Sequence, residues 1–179
     1  MTNAFRFFLK LIAIFVAILS ISLFATSAAN ASGNERLRID FISAPDWIEI
    51  SHVEKEPEEL NIRLLRKNGS TIPIATFTQD GPAFPELASI FKDTLKGRQI
   101  LFTIVKWRYY LSGVDTEGDY YEVHAYEARN SQSGAVSFAE VKKISDFYGS
   151  GFDGKQEGKI VHFQFKDASA IRLTLSKKR

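Results

Sequence analysis

The residue types able to do chemistry are scattered along this chain, and most of their spacings meet only part of a known requirement. Ser89-Ile90-Phe91-Lys92 matches the S-x-x-K pattern of serine acylation. That chemistry needs S-D-N and K-T-G partner elements, and neither follows; Ser145-Asp146-Phe147 comes nearest to the first. Gly149 to Gly154 has G-x-G-x-x-G spacing. A dinucleotide site needs those glycines between a strand and a helix. Here they follow a predicted helix and precede a predicted strand, so a flexible connector is expected. Asp115 to Asp119 alternates side-chain oxygens as calcium loops do, but its glycine comes too early and no distal bidentate glutamate follows. His52, His124 and His162 all fall in strand-like runs. A two-histidine metal site with Glu122 would require the hairpins of His124 and His162 to be neighbours. No metal and no cofactor is expected.

A binding surface has better support. Five of the six tyrosines lie between residues 109 and 126, with Trp107 beside them. Tyr, Trp and Arg give large contact area at low entropy cost. In the hairpin 99–127, setting Leu111 opposite Asp119 places Arg108 across from Glu122, Lys106 across from His124 and Tyr110 across from Tyr120. The other face then carries Val105 with Ala125, Trp107 with Val123 and Tyr109 with Tyr121. This register sorts polar from apolar partners, and a one-residue slip would mix them. The candidate binding residues are therefore Lys106, Arg108, Tyr110, Tyr120, Glu122, His124 and Tyr126, with Trp107 assigned to the core.

The elements that must position this hairpin are read from periodicity. Strands are predicted at 36–41, 47–53, 61–66 and 71–77, the last two around Asn68-Gly69, a strong hairpin signal. An amphipathic helix is predicted from Pro85 to Lys96, with Phe84, Leu87, Ala88, Phe91 and Leu95 as its stripe. A second is predicted from Phe138 to Tyr148, opened by a Ser137–Glu140 capping box. Strands at 159–165 and 170–175 would close the chain as a final hairpin. A faint repeat links Phe84-x-Glu86-Leu87-x-x-Ile90 to Phe138-x-Glu140-Val141-x-x-Ile144. The expected fold is α+β: a mostly antiparallel, hairpin-rich sheet of about six to eight strands, with two amphipathic helices packed on one face.

Composition bounds the class. The 179 residues contain no cysteine, which excludes a disulfide scaffold, a thiolate zinc site, a cysteine nucleophile and a cysteine-anchored lipoprotein. Residues 1–31 read as a signal peptide. Arg6 and Lys10 precede the apolar run Leu11 to Leu19, and Ala29-Asn30-Ala31 supplies a cleavage pattern after Ala31. An uncleaved anchor is the alternative, and would be the protein's only link to a membrane. The leader holds two of the 23 basic residues and none of the 21 acidic ones, so residues 32–179 hold 21 of each. A formally neutral chain lacks the cationic excess that nucleic-acid binding requires. Residues 32–179 are expected to form one α+β domain, periplasmic or secreted. The functional expectation is a small exported binding protein without a catalytic signature, of inhibitor or immunity type, that recognises another protein through the hairpin 99–127. The alternative is a cell-envelope accessory protein that binds glycan or tethers partners. A hydrolase built on unrecognised carboxylates comes third.

Overall fold

The computed structural model describes residues 35–42 and 45–177. The leader and its cleavage site lie outside the described residues. Ten strands and two α-helices are present among those described. In chain order they are β1 (Glu35–Arg38), β2 (Trp47–Val53), β3 (Glu59–Leu65), β4 (Thr71–Thr78), β5 (Pro85–Leu95), β6 (Arg98–Leu111), β7 (Thr116–Asn130), β8 (Val136–Glu140), α1 (Lys142–Tyr148), β9 (Ser150–Gln156), β10 (Lys159–Val161) and α2 (Ala168–Ser176). Every pairing is antiparallel.

Strands β1 to β4 form one sheet in sequence order. Asn68-Gly69 closes its last hairpin, with Gly69 at φ 82° as that turn requires. The second sheet has the order β10-β9-β7-β6-β5, and β8 pairs with the far half of β7. The first sheet packs on one face of the second, burying Ile48, Leu60 and Ile62 against Leu101, Val105 and Trp107. The helices pack on the opposite face, where Tyr148, Ile171 and Leu175 meet Phe91, Ile100, Phe102 and Ile104. Strand β6 is therefore buried on both sides, odd residues toward the sheet and even residues toward the helices.

One interruption matters for the site. β7 pairs with β9 from Glu117 to Glu122 and with β8 from Tyr126 to Asn130. Helix α1 fills the break. Val123 N donates to the Gly149 carbonyl (3.1 Å), Val141 N to the Ala125 carbonyl (2.7 Å), and Ala125 N to the Ser145 hydroxyl (3.1 Å). These bonds occupy three backbone groups of β7 where no strand lies beside it.

The α+β class, the antiparallel sheet and the two helices on one face agree with the sequence reading, with ten strands in place of six to eight. The segments differ. Residues 85–95 are strand, not helix. A bulge between Leu87 and Ser89 puts Leu87 and Ile90 on one face and Phe91 and Leu95 on the other, so a strand buried on both sides imitates a helical stripe. Ser137 and Glu140 belong to β8, and α1 begins after Val141 without a side-chain cap. The two segments of the faint repeat thus differ in structure. Residues 170–175 are helix, because Asp167 accepts from Ala170 N (2.9 Å) as N-cap. The glycine-rich run is strand β9. Its glycines make room: the Phe163 ring covers Gly151, and Gly118 and Gly154 meet across β7 and β9.

Candidate functional site

The β6–β7 hairpin closes more tightly than its alternation suggested. Leu111 pairs with Thr116, not with Asp119, around a single 3-10 turn at Ser112–Val114. The shift is three residues, an odd number, so it exchanges the faces of one strand relative to the other. Arg108 lies opposite Asp119 rather than Glu122, Lys106 opposite Tyr121 rather than His124, and Tyr110 opposite Glu117 rather than Tyr120. The seven candidate residues divide between two faces. Lys106, Arg108 and Tyr110 share the helix side of the sheet. Tyr120, Glu122, His124 and Tyr126 face the first sheet.

The first group leads to the hairpin tip. Lys106 bridges Glu86 (3.2 Å) and Asp119 (3.6 Å). Arg108 is only loosely engaged, at 3.9 Å from Glu117 and 3.8 Å from Asp119. Beyond it Tyr110 is 72% exposed, and Leu111 and Val114 are exposed with it. The backbone under these side chains is fixed. Asp115 takes a left-handed conformation at φ 49°, its carboxylate accepts from Lys155 Nζ (2.6 Å), and its carbonyl accepts from Gly158 N (3.0 Å). Thr116 Oγ1 accepts from Glu157 N (3.0 Å). The tip and the β9–β10 turn are thus fastened together, and the acidic loop read as a calcium look-alike is used for this fastening.

The second group surrounds His124. Its Nδ1 lies 2.9 Å from Glu140 Oε1 and its Nε2 lies 3.0 Å from Glu122 Oε2. The ring packs on Phe77 of the first sheet, centroids 5.0 Å apart. His124 was expected to point away from the apolar face, yet it stands between the sheets. Burial opposes its charge, but the hydrogen bonds to Glu122 and Glu140 prevail and move its pKa upward. For Glu140 burial again acts upward, while hydrogen bonds from His124 and Ser145 outweigh it and hold the carboxyl below its ordinary range. Both ring nitrogens are occupied, so neither is open to a substrate in this arrangement. In the sequence Glu140 stands out only as the partner of Ser137 in a capping box, and that reading hides its pairing with His124. No group of three or more His, Asp or Glu suited to a metal occurs among the described residues.

Tyr126 is buried between the sheets, and burial followed by the Glu140 charge raises its hydroxyl pKa. Trp107 is buried as assigned and donates to the Thr78 carbonyl (2.9 Å). Tyr120 donates to Ser150 Oγ (2.7 Å). Beside them a polar cleft of about 370 Å³ opens along the β4 edge, lined by Thr76, Gln79, Asp80, Trp107, Tyr120 and Glu122. Tyr109 donates to Asp80 Oδ2, on the cleft's lining (2.6 Å); burial and then that carboxylate raise its pKa.

The remaining motifs are dispersed. Ser89 and Lys92 lie on opposite faces of β5, and the Lys92 ammonium donates to the Asp40 carbonyl. His162 contacts Asp153 (3.3 Å), which also accepts from Lys166 Nζ (2.7 Å) and so holds the segment after β10. Lys166, then His162 and Phe163 N, lower the Asp153 pKa despite some burial.

Comparison with protein-family models, with curated proteins and with solved structures finds no match.

Proposed function

We propose that the protein is an exported binding module that recognises another protein through the tip of the β6–β7 hairpin. The observation that carries this reading is Tyr110, 72% exposed beside exposed Leu111 and Val114, with Arg108 loosely paired behind it. Exposed aromatic and arginine side chains on fixed backbone are favourable anchors, because little freedom is lost when a partner covers them. The fastening of Asp115 to Lys155 and Gly158 supplies that fixed backbone. The export reading rests on the leader pattern at residues 1–31 and on a remaining chain free of sulfur, which suits an oxidising compartment.

The test is capture from cell-envelope extract with the protein and with an Arg108→Ala/Tyr110→Ala double variant. One protein should be retained by the wild type and weakened at least tenfold by the variant, with the melting temperature unchanged. Equal retention by both would remove the tip from the reading. A second reading, glycan binding, is favoured by the polar cleft beside Trp107 and Tyr120. Trp107 is almost covered, so only an edge remains for a sugar, and for that reason the tip is preferred.

A further inference from the structure

A second concave surface lies at the other end of β6. Arg98 begins that strand and Leu111 ends it, so this surface is about 40 Å from the tip at about 3.3 Å per residue. It is a cavity of about 340 Å³ between α1, α2 and the β5–β6 turn. Its walls are apolar, with Leu95, Ile144, Phe147 and Leu175 contributing. Phe147 is half exposed at the mouth. The size is at the lower end of small-ligand sites and corresponds to about ten water-sized groups.

Its rim is cationic. Lys96, Arg98 and Lys143 line the mouth, and none of the lining residues is acidic. Arg98 is taken up by Glu127 at 2.9 Å. The neighbouring Lys142 lies 3.4 Å from Asp146. Lys96 and Lys143 have no acidic partner among the described residues. Lys96 is held in place by its turn, where it and Gly97 both take positive φ (48° and 76°). An alkyl chain would satisfy the walls and a carboxylate the rim. A sugar or a peptide would leave its polar groups unpaired against those walls.

We propose that this cavity binds a medium-chain fatty acid, with the alkyl chain between α1 and α2 and the carboxylate between Lys96 and Lys143. The test is calorimetric titration of the protein with decanoate and with decyltrimethylammonium, each below its micelle-forming concentration. Decanoate should bind once per chain and at least tenfold more tightly than the cation of equal chain length. A Lys96→Gln/Lys143→Gln variant should weaken decanoate about tenfold and leave the cation unchanged. Both substitutions are at exposed positions, so folding is retained. Ile144→Trp, which fills the cavity, should abolish both, with circular dichroism confirming the fold. Absence of decanoate binding, equal binding of the two amphiphiles, or decanoate binding untouched by the lysine variant would overturn the proposal. So would self-association that disappears in Ile144→Trp, which would give the face to a second copy of the chain.

Discussion

At the scale of single residues, the Glu122–His124–Glu140 chain ties the break in β7 to the first sheet through Phe77. His124 holds its proton more tightly folded than unfolded. Its contribution is therefore complete below its ordinary value of 6.5 and is lost as pH rises through the higher folded value. Glu140 behaves in the opposite sense. Its contribution is present above 4.5 and is lost as pH falls through its lower folded value. The two overlap between those values. His124→Gln should therefore destabilise most near pH 5.5, and the penalty should shrink by about 1 kcal/mol at pH 8.5, the difference between charged and neutral hydrogen bonds. Thermal melts of both proteins at the two pH values measure this; equal penalties would show that the imidazolium is not the form held. Sequence alternation singled out Glu122 and His124 but not Glu140, because a glutamate three residues after Ser137 looks like a helix cap. Nothing local separates that pattern from a strand end.

At the scale of elements, the first sheet was legible and much of the second was not, for one physical reason. Strands β2 to β4 have one face on the core, so their apolar residues alternate. Strand β5 lies in a sheet covered on both faces and carries a bulge, so its apolar spacing drifts toward that of a helix. Helix α2 misled in the other direction. Ile171, Leu173 and Leu175 alternate, yet only Ile171 and Leu175 are buried, and Leu173 is 60% exposed. The Asp167 cap was the signal that would have identified it. The glycines of β9 suggest a flexible connector in the sequence, whereas the strand uses them for close approach. A Cβ on Gly154 would stand 2.5 Å from the Glu117 carbonyl oxygen and 2.8 Å from Gly118 Cα, at φ 144°. Gly154→Ala should cost about 2 kcal/mol, in the range of overpacked sites, and lower the melting temperature by about 4–8 °C. Gly113→Ala, with open space around it, should change it by less than about 2 °C. Equal effects would mean that β7 and β9 are not in close contact at this point.

At the scale of the whole molecule, β6 is a shared wall between two cores. Leu101, Val105 and Trp107 serve the contact with the first sheet, and Ile100, Phe102 and Ile104 serve the helices. Its two ends carry the proposed binding surfaces, the tip at Tyr110 and the cavity at Lys96. The sequence showed the tip residues but could not show the cavity, which exists only when α1 and α2 meet over the β5–β6 turn. The shared wall also orders events in time. Strands β5, β6 and β7 are joined by short turns and close little chain as they pair, whereas α2 reaches the sheet only after some 40 further residues. The β5–β6–β7 meander is therefore the expected nucleus, with the helices docking late. Stopped-flow folding of two conservative variants distinguishes the steps. Ile104→Val, at the centre of the meander, should slow folding with little change in unfolding; Ile171→Val, on α2, should speed unfolding and leave folding nearly unchanged. The reverse pattern would make helix docking the early event. With the meander forming first, the strand buried on both sides acts as the clock of assembly as well as its partition.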